Sequence, residues 1–215
     1  MTKAVGRRQT AVGSRQTAVG TGVGNRQSGR LISGRAIILG DGVSTDAMIS
    51  GKYCKLAEGR QLAAHLFEGT NFERKGGKGA EGRKGARDWN GTIILAGRNF
   101  GCGSSREQAP LALNAAGVRA VAASSFGRIF FRNAINIGLP VMNIDGMPEH
   151  VREGDEIIMD LGRGLIRNRT REIIKGRALP AILMGILRAG GLVPYMKAEL
   201  RKKEDASHSR RKGGK

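Results

Sequence analysis

Apolar and polar positions along this chain follow the two periods of strand and helix. Thr92 to Ala96 and Val118 to Ala123 are short apolar runs of the length expected for buried strands. Gln108 to Ala116 between them reads as a helix, so the three form a βαβ unit with parallel strands and a right-handed connection. Upstream, Arg35 to Leu39 reads as a strand ended by the Gly40-Asp41-Gly42 turn, with structure beginning near Gly34. Glu58 to Glu68 reads as a helix, since Leu62 and Leu66, and Ala63 and Phe67, lie four residues apart. Phe126 to Ile137 has helical spacing at Phe126, Ile129, Phe130 and Asn133. Asp155 to Leu161, Gly164 to Asn168 and Glu172 to Ile174 look like short antiparallel strands. Pro180 to Ala189 reads as a helix opened by proline and closed by Gly190-Gly191, and Leu192 to Leu200 starts another. The pattern is that of an α/β domain.

Three segments break the pattern, and they hold most of the charge. Residues 1–33 carry Arg8-Gln9-Thr10-Ala11-Val12-Gly13 and its copy Arg15-Gln16-Thr17-Ala18-Val19-Gly20, too polar and glycine-rich to bury a core. They read as a disordered basic segment. Residues 71–90, with five glycines between Lys75 and Gly85, read as a flexible basic insertion, and 197–215 as a basic tail. The domain is thus expected at 34–196. Residues 1–30, 71–90 and 197–215 carry +6, +3 and +5, which is +14 of the formal +19, so the body is only mildly basic. A net charge of +19 suits a nucleic-acid-binding protein. Its position in the tails, and only nine aromatic residues for stacking on bases, weigh against that reading. No apolar run reaches the roughly 18 residues of a membrane span. Two widely separated cysteines, Cys54 and Cys102, fit a reducing, cytoplasmic setting and are too few to hold an iron–sulfur cluster. The three histidines show no metal-ligand spacing, so no metal site is expected.

Asn99-Phe100-Gly101-Cys102-Gly103-Ser104-Ser105-Arg106-Glu107 joins the Thr92 strand to the following helix. Ser104 and Glu107 have the spacing of a capping box, which alone gives the loop a structural role. The second serine and Arg106 go beyond a cap. A glycine-lined turn with hydroxyls and a guanidinium, at the carboxyl end of a parallel strand, can converge backbone N–H groups and positive charge on an anion. A dinucleotide-binding G-x-G-x-x-G is absent, since Arg106 occupies the third glycine position.

This loop, with Ala109-Pro110, resembles the active-site loop of the aconitase superfamily's swivel domain, and most of all the family of separate small subunits of 3-isopropylmalate dehydratase and homoaconitase. Gly40 to Asp46, Ser124-Ser125-Phe126, Arg128-Ile129-Phe130, Arg132 to Pro140 and Ala189 to Leu192 carry the resemblance further, from about Gly34 to Met196. It implies a three-layer β/β/α swivel domain with a parallel βαβ core and additional short antiparallel strands. It implies a hydro-lyase acting on a small hydroxy acid, isomerising 2-isopropylmalate to 3-isopropylmalate in leucine biosynthesis. Homoaconitase and methylmalate-type (citraconate) dehydratases are the alternatives within the class. Ser104 is the expected catalytic base, and Asp46 the second catalytic residue, orienting the neighbouring arginine or the Ser104 hydroxyl. Ser105, Arg106, Thr45 and Lys55 are the expected substrate contacts, with Gly101 and Gly103 shaping the loop and its anion-binding N–H groups. Tyr53-Cys54-Lys55-Leu56 falls where relatives select the substrate side chain: Lys55 offers a cation, and Tyr53 and Leu56 an apolar wall. A [4Fe-4S] cluster is expected in a large partner subunit, with no cofactor bound by this chain. Gln108 stands where the family usually has histidine.

Overall fold

The computed structural model describes residues 31–72, 87–147, 149–171 and 173–212, with side chains as far as residue 205. The repeats in 1–30 and the glycine-rich stretch 73–86 lie outside the described residues. Seven strands form one sheet: β1 (Leu31–Leu39), β2 (Thr92–Ala96), β3 (Ala120–Ala123), β4 (Val141–Asn143), β5 (Glu156–Asp160), β6 (Leu165–Arg167) and β7 (Ile173–Lys175). Their order is β4-β3-β2-β1-β5-β6-β7. The first four are parallel, with Ile37 opposite Ile94 and Val121 opposite Val141. The last three run antiparallel, joined through Ile32 opposite Met159 and Met159 opposite Ile166.

Alternation along the parallel strands divides their side chains between two cores. Ile37, Leu39, Ile94, Ala96, Val121 and Val141 face helices α2 (Gly59–Ala63), α3 (Gln108–Ala115) and α4 (Arg128–Asn136), which supply Leu62, Leu113 and Phe130. The other face carries Ile93, Leu95, Ala120, Ala122 and Met142, and these share a core with Ile157, Met159 and Ile166 of β5 and β6. Strands that stand three or more places apart in the sheet can share a core only if the sheet bends back over itself. The bend is closed by an isolated antiparallel bridge between Ile144 and Gly176, with Asp145 N–H donating to the Lys175 carbonyl (3.0 Å) and Arg177 N–H to the Asn143 carbonyl (2.8 Å). The β/β/α layering expected from the resemblance therefore arises from a single curled sheet. Two further helices, α5 (Ala181–Arg188) and α6 (Leu192–Lys212), follow β7.

Several boundaries differ from the sequence reading, each for a local reason. Strand β1 starts at Leu31 because residues 31–35 pair with β5; Gly34 lies inside it, where a Cβ would come within 2.6 Å of the Gly91 carbonyl oxygen. The helix expected over 58–68 ends at Ala63, and fully buried Phe67 adopts a left-handed φ of 57° that puts its ring against Trp89 and Phe72. Burying that ring outweighs the local preference for helix. The ends of the expected insertion belong to the body: Phe72 packs on the core, and Arg87 and Trp89 are buried. Helix α6 passes without a break through the boundary expected at residue 197. Strand β4 was not anticipated from the sequence; three residues after Pro140 carry too little periodicity to register.

Because Ile166 belongs to β6 yet lies in the same buried cluster as Ala120, Ala122 and Met142 of β3 and β4, it reports on the bend. Ile166→Ala should lower unfolding stability by about 2–4 kcal/mol, measured as the midpoint shift in urea; an unchanged midpoint would mean that the two layers do not share a core.

Candidate active site

The loops after β1, β2 and β3 meet at the carboxyl ends of the parallel strands. Four backbone bonds continue the β1–β2 pairing into these loops: Gly97 N–H donates to the Gly40 carbonyl (3.2 Å), Gly42 N–H to the Arg98 carbonyl (2.8 Å), Gly101 N–H to the Val43 carbonyl (2.7 Å) and Thr45 N–H to the Cys102 carbonyl (2.9 Å). On the other side, Phe100 N–H donates to the Ser125 carbonyl (2.9 Å), Asn99 N–H to Ser125 Oγ (2.8 Å) and Gly127 N–H to the Phe100 carbonyl (2.8 Å). Beneath the loop, Phe100 meets Phe126 and Phe130 edge to face at 6.0 and 5.3 Å. The loop thus rests on a packed aromatic base.

Asp41 ties the roots of the first two loops together. Its carboxylate accepts from Arg98 N–H at 2.7 Å and from Arg98 Nε at 3.0 Å, and these bonds, the backbone one foremost, hold its pKa below the ordinary carboxylate value. The sequence marked Asp41 only as a turn residue.

Residues 44–46 belong to a one-turn helix, α1 (Thr45–Met48), with Ser44 Oγ capping the Ala47 N–H at 3.1 Å. Thr45 is buried, and its hydroxyl donates to the Ser104 carbonyl (3.0 Å), lying 3.5 Å from Ser104 Oγ. Thr45 in this structure holds the loop, where the sequence reading had it touch substrate. Asp46 Oδ1 pairs with Arg106 Nη1 at 2.5 Å, and the same nitrogen donates to the Ile49 carbonyl at 3.0 Å. The guanidinium is anchored on one side, and the Arg106 side chain is four-fifths shielded from solvent.

Ser104 and Ser105 are exposed. The expected capping box does not form: α3 starts at Gln108 with Glu107 before it, and no side chain caps it. Helical dihedrals at Glu107 leave no room for the extended residue that a cap requires. Gly101 is spent on packing, since its N–H is taken by Val43 and its φ is +74°, with the Phe130 ring where a Cβ would go. The anion-binding role expected of Gly101 does not fit that bond. Gly103, at φ +94°, lies against Asp46 and Thr45, and among the described residues no protein acceptor takes the N–H groups of Gly103, Ser104 or Ser105. The loop therefore combines two exposed serines, backbone donors without a protein acceptor among the described residues, and a fixed cation.

The segment after α1 makes a short 3-10 turn, Gly51–Tyr53. Lys55 is exposed and makes no ion pair among the described residues, whereas Tyr53 and Leu56 pack partly against the core. Tyr53 stacks on His65 at 3.7 Å, and Glu68 accepts from His65 Nδ1 at 3.1 Å with Lys52 Nζ 3.7 Å away. The Tyr53 hydroxyl, aided by Lys52 and His65, lowers the Glu68 pKa against a burial penalty. Two free cysteines, Cys54 and Cys102, are partly buried, and among the described residues no three His, Cys, Asp or Glu side chains converge as a metal site. No described helix is long and apolar enough to cross a membrane.

An α/β domain with this strand order and this loop at its parallel carboxyl ends is an aconitase-type domain, and the model of the aconitase C-terminal domain matches residues 41–145. The isopropylmalate/citramalate isomerase small subunit of Methanocaldococcus jannaschii is 43% identical over 173 residues, covering 79% of this chain and 96% of that one. The 3-isopropylmalate dehydratase small subunit of Pyrobaculum calidifontis is 48% identical over 169 residues, covering 78% and 98%. The crystal structure of 3-isopropylmalate dehydratase from M. jannaschii superposes with a TM-score of 0.69 at 37% identity, covering 82% of this chain and 99% of that one. The chain belongs to the family of 3-isopropylmalate dehydratase small subunits.

Gly101→Ala should destabilise the fold by about 2–4 kcal/mol, combining left-handed strain with overlap on the Phe130 ring; thermal unfolding checks it. Glu68 has its pKa lowered on folding, so its contribution is full above its unfolded pKa and is lost as pH falls through the folded value. Urea midpoints from pH 6 to pH 3 should consequently fall more for the parent chain than for Glu68→Gln; parallel profiles would refute the linkage.

Proposed function

We propose that this chain is the small subunit of a two-subunit hydro-lyase that interconverts 2-isopropylmalate and 3-isopropylmalate through a dehydrated intermediate, in leucine biosynthesis in the cytoplasm. The observation that carries the reading is Arg106, fixed by Asp46 and the Ile49 carbonyl, in the same loop as exposed Ser104 and Ser105.

The reaction removes a weakly acidic proton from a carbon next to a carboxylate and expels hydroxide from the neighbouring carbon. Ser104 takes the proton as an alkoxide, which needs positive charge and donors close by to exist near neutral pH. Arg106 supplies the charge. The N–H groups of Gly103, Ser104 and Ser105 are available as donors on the exposed side of the loop. Arg106 and Ser105 hold a substrate carboxylate, the guanidinium by paired N–H donors, and so present the proton to Ser104. Asp46 keeps the guanidinium in place and Thr45 holds the backbone of Ser104, so both act by positioning. Rehydration of the intermediate with the opposite orientation gives the isomer, the proton returning from Ser104.

Departure of hydroxide calls for a Lewis acid, the service that a [4Fe-4S] cluster with an open iron supplies. Two cysteines on separate segments, with no group of three metal-ligating side chains among the described residues, do not fit such a cluster. We assign the cluster to the large subunit, which covers the exposed face of the loop and completes the site.

A second substrate has specific support, because the M. jannaschii relative is named for both isopropylmalate and citramalate. The two acids share the carboxylates that Arg106 and Ser105 engage and differ in an isopropyl or methyl side chain. In the complex reconstituted with the large subunit, Ser104→Ala should lower turnover of isopropylmalate by at least about a thousandfold while subunit association is kept. Near-parental turnover would remove Ser104 as the base.

A further inference from the structure

Arg106 and Gln108, two residues apart at the start of α3, hold one stretch of chain at both ends. Arg106 Nη1 donates to the carbonyl of Ile49 (3.0 Å), and Gln108 Nε2 to that of Cys54 (3.0 Å). Between those carbonyls the chain turns through Ser50 to Tyr53. Gly51 lies so near the guanidinium that a Cβ there would stand 3.4 Å from Arg106 Nη2. The acceptor at the Gln108 end is a carbonyl oxygen, so the amide nitrogen is what faces it. Gln108 has no other partner among the described residues, and the bond is partly shielded from water.

A carboxylate bound by Arg106 leaves the rest of a small acid within a few ångströms of this stretch. Its far end is exposed at Lys55 and is attached to the body by Gln108 and by the packing of Tyr53 and Leu56. The space left for a substrate side chain then depends on how firmly the Cys54 end is held. We propose, building on the function given above, that Gln108 is a positioning residue that sets substrate choice by fixing the 51–56 stretch against Arg106. Histidine can place a ring N–H where the glutamine nitrogen stands, and it can serve the same purpose; glutamine does so with a donor that does not change with pH.

The test uses the full chain assembled with its large subunit, and compares Gln108→Ala, Gln108→Glu and Gln108→His. Glutamate matches glutamine in shape but when ionised cannot donate to a carbonyl. Preference for isopropylmalate over citramalate, as the ratio of kcat/KM, should drop about tenfold in Gln108→Ala and Gln108→Glu, the effect of one lost hydrogen bond. The change should fall mainly on KM, and Gln108→His should restore the ratio. Amide hydrogen exchange over residues 51–56 should rise in the first two variants and not in the third. An unchanged ratio, or unchanged exchange in Gln108→Ala, overturns the proposal. Failure of the unsubstituted complex to turn over either acid would instead overturn the reading of function, and exchange would still decide whether Gln108 holds the stretch.

Discussion

The site depends on the four backbone bonds that carry the parallel pairing of β1 and β2 past the ends of those strands, the last two running from Gly101 to Val43 and from Thr45 to Cys102. A parallel sheet brings the carboxyl ends of successive strands to one side, but the loops that leave them are free to diverge. Here they stay in register for a few residues more. That register puts Asp46 opposite the Ser104 loop and lets the Arg106 side chain reach back to α1. The charge pair sits on geometry already fixed by the main chain, which is why an exposed aspartate can be held against a guanidinium at little entropic cost.

The aromatic base has the complementary task. Phe100, Phe126 and Phe130 fill the space under the loop, and Gly101 is the concession that this packing demands. With its backbone fixed from above by strand-like pairing and from below by rings, the loop can leave Ser104 and Ser105 uncovered without losing its shape. Preorganisation of this kind is what transition-state stabilisation requires of a donor array.

Much of this was legible in the sequence because the elements that matter are short and strongly patterned. Thr92 to Ala96 is apolar at four of its five positions, as suits a strand buried on both faces, and the three short antiparallel strands fell within a residue or two of their expected places. The loop itself was recognisable from its glycines, serines and arginine. What escaped notice depends on backbone acceptors and long-range packing, which leave no mark in residue types. Nothing in Ile49 or Cys54 announces that their carbonyls hold Arg106 and Gln108. Asp41 looked like an ordinary turn aspartate, because its partner Arg98 is 57 residues away. The capping box failed for the opposite reason: the right residue types were present, but the chain enters α3 in a conformation that cannot use them.

The bend that joins Ile144 to Gly176 has a consequence beyond the layering of the cores. An open sheet of seven strands would end in two rows of unsatisfied amides and carbonyls, each a template on which a neighbouring molecule could add a strand. In this chain the ends of the outermost strands meet at the single bridge between Ile144 and Gly176, so the main-chain groups of Asn143, Asp145, Lys175 and Arg177 that bond across it are satisfied within the molecule. At that join, a second copy of the chain finds no free strand edge on which to polymerise.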